Sequence, residues 1–438
     1  MATTCRISEL KAHEGEIITL QGWVSNKRTG KGLVFAEVRD GSGFCQCIID
    51  ANNFNEDNFE EAKKLSLASS LTITGTVVKD DRQIGGFEVQ VTSYELLQLV
   101  EDYPISKKAH GVDFLLEKRH LWLRSKRQWA VMRIRSRVKY AVHTFFQERG
   151  FTQMDSPMFT GSACEGTTTL FETDYYGQPA YLTQSGQLYA EASAMAHGLV
   201  YTFGPTFRAE KSKTRRHLSE FWMIEPEMAY YDLDMDMELM EDFVRSMVLD
   251  TFENCKLELE ILGRDLKLFE TIAKPFPKIS YTDAVQILKG NKDVDIESAK
   301  NFKDGEDFGG SDETVLTRLF DTPIMVYNWP QEIKAFYMKR TEGDDRFVKG
   351  VDCLAPDGFG EIVGGSERET DINLLLKRIA EHELDEKDFD WYLDLRKYGS
   401  VPHSGFGLGF ERLIMWLTDV KHIRETIPFP RYYGRLFP

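Results

Sequence analysis

Between residues 17 and 95 apolar and polar positions alternate in short runs, each closed by a turn signal. Ile17 to Val24, Leu33 to Arg39 (ending at Asp40-Gly41) and Phe44 to Asp50 read as three strands. A helical stretch follows around Asn58 to Leu67, then two more strands, Leu71 to Val78 and, after Gly85-Gly86, Phe87 to Glu95. Five strands with a helix after the third is the plan of an OB-fold, a small barrel that commonly takes oligonucleotides. The pattern loosens from Tyr103 to about Ser125, which reads as a hinge after a first domain of residues 1–102. From Gln128 the period becomes helical, through Val131, Ile134, Val138, Ala141, Val142, Phe145 and Phe146, and stops at Gly150. The rest mixes strands and helices, so the expected fold class is α+β, with a second domain over residues 126–438.

A chain of 438 residues has room for two or three units, each with its own core. No apolar run approaches the roughly 20 residues that span a bilayer, so no membrane partner is expected. The six cysteines are irregularly spaced, without a CxxC pair, and read as free thiols. The start, Met-Ala-Thr-Thr-Cys-Arg, has no apolar stretch with a cleavage site, and the expected location is cytoplasmic. A net charge of −16 speaks against nucleic acid until its distribution is considered. Lys118 to Lys139 holds nine Lys or Arg and no acid, and Lys211, Lys213, Arg215 and Arg216 form a second basic cluster.

What flanks these clusters gives them meaning. Gly150-Phe151-Thr152-Gln153-Met154-Asp155-Ser156-Pro157 is a helix stop, a strand and a proline. Phe207-Arg208-Ala209-Glu210, a basic loop, and Arg216-His217-Leu218-Ser219-Glu220-Phe221-Trp222-Met223-Ile224-Glu225 read as a hairpin able to hold an arginine and a carboxylate on one face. Gly405-Phe406-Gly407-Leu408-Gly409-Phe410-Glu411-Arg412-Leu413-Ile414 is a strand whose glycines admit a ligand, then a helix with an arginine in its first turn. Taken singly, each fits a surface ion pair or a core aromatic. Their order and spacing resemble motifs 1, 2 and 3 of the class II aminoacyl-tRNA synthetases, and the resemblance covers essentially the whole chain.

That resemblance implies a catalytic domain built on an antiparallel sheet with flanking helices, which joins an amino acid to ATP. By it, Arg208 binds the α-phosphate and the substrate carboxylate, Glu210 the adenine amino group, and His217 the γ-phosphate. Phe221 stacks on adenine, with Arg412 on the other face and Gly409 beside it. Arg208, Glu361 and Arg412 are the expected catalytic set. Phosphoryl activation needs positive charge where negative charge accumulates, which suits these residue types. Asp352 and Glu361 match the positions that hold Mg²⁺, and their oxygens suit a hard cation. Gly364 stands where aspartate-specific members carry a serine, so water is expected to replace that ligand.

The N-terminal barrel resembles the anticodon domain of the aspartate, asparagine and lysine subgroup. Phe35 and Gln46, eleven residues apart on consecutive strands, match its anticodon-reading aromatic and glutamine, with Arg28 and Glu88 added. Stacking a splayed base and reading its edge is how single-stranded RNA is usually recognised. In Thr183-Gln184-Ser185-Gly186-Gln187-Leu188-Tyr189-Ala190-Glu191, Ala190 stands where aspartate-specific members carry a lysine that neutralises the substrate carboxylate. An unpaired buried charge is costly, so the loss of that lysine favours the neutral side chain. Glu225 replaces an aspartate and is expected to accept from the substrate amide, while Arg368 donates to the side-chain oxygen. Glu165, in Cys164-Glu165-Gly166, is expected to hold the α-ammonium group, with Gln187 and Glu227 as further amino-acid contacts. The implied partners are L-asparagine, ATP with Mg²⁺ and tRNA(Asn), in a homodimer joined through motif 1. An aspartate-specific member of the subgroup is the closest rival, against which Ala190 weighs; a synthetase-like asparagine synthetase is a second, but such proteins generally lack the N-terminal barrel.

Overall fold

The alternating N-terminal runs close on themselves. In the computed structural model, which describes residues 2–164, 169–290 and 302–438, the strands Ile17–Gly30, Leu33–Arg39, Phe44–Asp50, Phe87–Gln98 and Ser70–Lys79 pair in that order, and Ser70–Lys79 returns to Ile17–Gly30. Inward residues at alternate positions, among them Ile18, Leu20, Val34, Val38, Ile49, Leu71, Ile73 and Val91, fill the barrel. The helix Glu56–Lys64 follows the third strand. It starts before Asn58, because its N-cap is Asn55, whose Oδ1 accepts from the Asn58 N–H at 2.8 Å, and it ends at Lys64 rather than Leu67. The first strand runs six residues past Val24, carried through by a register shift between Val24 and Asn26 that leaves Ser25 as a bulge. Residues 103–125 are not bare hinge: they carry the helices Val112–Glu117 and Arg119–Trp122.

Contacts divide the chain into Met1–Trp129 and Ala130–Pro438. The second unit is built on a nine-stranded sheet. Its central run, Ile324–Pro330, Asp344–Ala355, Gly360–Glu367, His403–Gly409, Glu220–Ala229 and Leu199–Phe207, pairs antiparallel throughout. Parallel pairings close both edges, with Lys278–Ser280 at one and Thr152–Gln153 at the other. The sheet is therefore mixed rather than wholly antiparallel. The strand expected through Pro157 is a ladder only over Thr152–Gln153, with the Met154 N–H still bonded to Tyr201 O at 2.9 Å.

The long helix Lys126–Glu148 ends before Gly150, whose φ of +80° lies where only glycine is unstrained. Val131, Ile134, Val138, Val142, Phe145 and Phe146 from this helix, with the helices Leu233–Asn254 and Phe410–Thr418, cover one face of the sheet. The other face is left for chemistry. Six free, buried cysteines are found, as the spacing predicts. No described helix is long and apolar enough to cross a membrane.

Candidate active site

The open face is made by missing side chains. Along His403–Gly409, Phe406 and Leu408 point into the core while Gly405, Gly407 and Gly409 point the other way. A Cβ on Gly405 would lie 2.4 Å from the Glu227 carboxyl, and one on Gly407 would lie 2.7 Å from Met223 Cε. Neither position tolerates a side chain without displacing a neighbour. Across the adjacent strand Glu220–Ala229, Phe221, Met223, Glu225 and Glu227 alternate onto the same face. The sheet thus becomes a floor with charged groups at its rim.

Arg208, Glu210, His217, Phe221, Glu361, Gly409 and Arg412 line one pocket over this floor. Arg208 follows the hairpin strand, its N–H bonded to Ser219 O at 3.0 Å, and its guanidinium carbon lies 5.4 Å from the Phe221 ring centroid. Its Nε is buried without a partner, a donor left for a ligand. Arg412 Nη1 donates to Glu361 O at 2.8 Å and Glu361 Oε2 at 3.1 Å. Burial acts to raise the Glu361 carboxyl, but Arg412, Lys334 and Arg208 outweigh it and hold the group below its usual range. His217 Nε2 lies 3.5 Å from Glu210 Oε2. Burial, joined by the cations Arg412, Arg208 and Arg216, lowers its imidazole despite Glu210. The helix Phe410–Thr418 is pinned through Glu411, whose Oε2 accepts from the Trp222 N–H at 2.8 Å and whose Oε1 pairs with Arg135 at 2.7 Å.

Asp352 and Glu361 come together as the spacing could not show. Asp352 pairs with Gly364 across the sheet, and a Cβ built on Gly364 would lie 3.4 Å from Asp352 Oδ1 and 3.3 Å from Glu361 Oε1. Two carboxylate oxygens thus face one space that a side chain would fill. Lys334 Nζ holds the other oxygen of Asp352 at 2.5 Å. Among the described residues no three His, Cys, Asp or Glu are grouped to hold a metal alone.

The amino-acid residues separate into two groups. Glu225 lies in the row Thr202, Glu225, with Gly186 N–H donating to its Oε2 at 2.8 Å, Thr202 Oγ1 at 3.1 Å, and Ser185 Oγ bonded to Oε1. Both oxygens already have donors. Ala190 is fully buried with Ala194, Val200 and Met154, an apolar cluster behind the helix Gln187–His197. Arg368 is buried, its Nε donating to Glu227 Oε2 at 3.2 Å, its Nη2 to Glu227 Oε1, and its Nη1 to Ser366 Oγ at 2.7 Å. Gln187 Nε2 donates to Glu191 Oε1 at 3.1 Å. Glu165 lies outside the described residues.

Glu191 is the centre of a polar knot that sequence reasoning passed over. It accepts from Tyr392 OH at 2.8 Å and Arg396 Nη2 at 3.0 Å, lies 2.9 Å from His403 Nε2, and is 3.9 Å from Arg368 Nε. Burial alone would raise its carboxyl, but Arg396, His403 and Arg368 hold it well below the usual range. Burial first, and then Glu191 and Asp236, push the Glu227 carboxyl up against the pull of Arg368. Tyr392, Arg396 and His403 lie 201, 205 and 212 residues away, beyond any local signal. The i,i+4 spacing of Gln187 and Glu191 was the available hint. Arg216 was seen only as part of a basic cluster; its Nη1 donates to Glu313 Oε2 at 2.8 Å.

A pH effect arises next to Ile423, one of the residues lining the pocket. His422 Nδ1 accepts from the Arg424 N–H, and burial, then Arg424 and Arg215, push the imidazole down to about 4. Its unfolded value is about 6.5, so the unfolded chain binds more protons between the two. Its contribution is complete above pH ~6.5 and is lost as pH falls toward 4. In melting curves, His422→Asn is expected to lose less stability than wild type across that window; parallel declines contradict the assignment.

In the first unit the four expected RNA contacts form one patch. Arg28 pairs with Phe35 across the sheet, its guanidinium 4.6 Å from the ring centroid. Arg28 Nη2 donates to Gln46 Oε1 at 3.3 Å, and Gln46 Nε2 donates to Glu88 Oε2 at 3.1 Å.

A barrel with an aromatic and amide patch, and a glycine-floored sheet rimmed by arginines and carboxylates, define an enzyme that activates a carboxylate with a nucleotide and carries an RNA-binding module. Residues 111–433 match the family of class II tRNA synthetases (D, K and N), and residues 18–97 match an OB-fold nucleic acid binding domain. The chain belongs to that class II family. It is 50% identical over 432 residues, 99% of both chains, to the asparagine--tRNA ligase of Desulforamulus reducens. The asparaginyl-tRNA synthetase of Pyrococcus horikoshii, solved with asparaginyl-adenylate, superposes with a TM-score of 0.93 at 42% identity, covering 100% of each chain. That of Entamoeba histolytica, also with asparaginyl-adenylate, gives 0.89 at 31%, again over 100% of each.

Proposed function

We propose that the protein ligates L-asparagine to tRNA(Asn) through an asparaginyl-adenylate, consuming ATP and releasing AMP and pyrophosphate. The observation that carries this reading is the single pocket in which Arg208, Phe221, Glu361 and Arg412 meet over a glycine floor, in a chain 50% identical to an asparagine--tRNA ligase. Phe221 and Arg412 provide two faces for a base, and Arg208, His217 and Arg412 supply positive charge for phosphates and the attacking carboxylate. Asp352 Oδ1 and Glu361 Oε1 fit a hard cation, and Mg²⁺ bound there would neutralise phosphate charge, its remaining ligands coming from water and substrate. Arg368, held by Glu227, is the residue assigned in this reading to the side-chain oxygen of asparagine. Glu225, held by Ser185, Gly186 and Thr202, is the acidic group this reading sets against a second carboxylate, and so against aspartate.

A homodimer belongs to the same proposal. Met158, Phe159, Tyr175 and Tyr176 are 51%, 51%, 48% and 92% exposed in and beside a three-stranded sheet that follows motif 1. Apolar groups gathered so are a face for a second copy. An active monomer at micromolar concentration in sedimentation contradicts it.

The barrel is tested through charging. Phe35→Ala is expected to weaken tRNA charging by loss of stacking, about 1–3 kcal/mol, while asparagine-dependent pyrophosphate exchange stays unchanged. An equal fall in both activities contradicts an independent RNA-reading module.

A further inference from the structure

On the outward side of Leu33–Arg39, Phe35, Glu37 and Arg39 follow one another at alternate positions. Phe35 and Arg39 are thus about 13 Å apart along the strand, the reach of a short stretch of extended nucleotide chain. Between them Glu37 is neutralised, with Ser25 Oγ donating to Oε2 at 2.7 Å and Lys126 paired to Oε1. Arg39 has no such partner. It lies opposite Trp23 across the sheet, its guanidinium 4.9 Å from that ring centroid, which repeats the Arg28 and Phe35 arrangement one step along. Cation–π contact fixes the group without using its N–H donors.

Arg124 stands beside it. Burial lowers the proton affinity of Arg39, the positive charge of Arg124 lowers it further, and Tyr103 alone acts the other way. Neither arginine meets a carboxylate among the described residues. Both line a cavity of about 330 Å³ that Lys107, Lys126, Ser106 and Ser125 also face. Two guanidinium groups converging on a space with hydroxyls around it suit an anion, and their planar forks suit phosphate. The chain as a whole is at −16, so such a site has to be local.

We propose that Arg39 and Arg124 form a phosphate subsite for the RNA strand whose unpaired base stacks on Phe35, with Trp23 holding Arg39 in position. The proposal rests on the tRNA-ligating reading and adds to it a backbone contact outside the base-reading patch.

The test uses the full chain, the double variant Arg39→Gln, Arg124→Gln, and Arg124→Gln alone, whose exposed side chain is no threat to folding. Binding of tRNA(Asn), an anticodon-loop RNA and the bare anticodon trinucleotide is followed by fluorescence anisotropy across a salt series. The double variant is expected to bind tRNA and loop RNA about tenfold more weakly, with the slope of log Kd against log salt reduced by about 0.7 per phosphate lost. Arg124→Gln alone is expected to fall between. Trinucleotide binding and pyrophosphate exchange stay at wild-type values. Unchanged affinity and salt slope in a folded double variant overturn the proposal. So does a melting shift with inorganic phosphate that the double variant loses while RNA binding is unaffected, since that assigns the cavity to a free anion. Phe35→Ala separates the two readings: if it too leaves RNA binding intact, the barrel is not the RNA site and both readings fall.

Discussion

Arg208→Ala is expected to lower kcat/KM for asparagine-dependent pyrophosphate exchange by about 10²- to 10³-fold, the scale of losing one fixed donor to charge that develops in the transition state. The cause is positional. Arg208 follows directly on the strand Leu199–Phe207, is held through its backbone to Ser219, and keeps a buried Nε without an acceptor. Among the described residues it has no ion pair to lose, so the melting temperature is expected to stay near wild type, and the fall is expected mainly in kcat. A loss confined to stability, or a KM effect alone, contradicts a role at the reacting phosphate.

Glu191→Leu is expected to destabilise the fold by about 3–5 kcal/mol, because removing one member of a buried charged group strands the others. Arg396, whose side chain is fully buried, and Arg368 both look to this carboxylate, with His403 and Tyr392 completing its bonds. Denaturant unfolding reads the change directly. Replacing Arg396 by Met in the same chain is expected to recover part of it, since an apolar group of similar volume leaves fewer charges unpaired. A midpoint unchanged from wild type shows that the knot contributes nothing to stability.

How much of this was legible in the sequence follows from the range of each interaction. Barrel strands alternate over a few residues, so Leu33–Arg39 and Phe44–Asp50 carry the same bounds in sequence and structure. The first barrel strand ran on because a bulge at Ser25 breaks the alternation that marks it. The helices Val112–Glu117 and Arg119–Trp122 were too short for a period to show. The pocket arginines were visible through motif order, and strand alternation placed Phe221 and Glu225 on one face. What stayed hidden was tertiary: Lys334 on Asp352, Glu313 on Arg216, and the Glu191 knot, contacts between loops, helices and strands that follow no local period. Ala190 illustrates a different limit. A missing charge can be read from a sequence, whereas the apolar cluster around that alanine exists only once Val200 and Met154 have folded against it.

ATP–pyrophosphate exchange by the purified full chain, run in parallel with asparagine, aspartate and lysine, tests the central claim most directly. Asparagine and aspartate differ only by NH₂ in place of O⁻, so their comparison isolates charge and hydrogen bonding from shape. With Arg368 tied to Glu227 and a fixed carboxylate at Glu225, exchange is expected with asparagine and at background with the other two. Equal or greater exchange with aspartate contradicts the account.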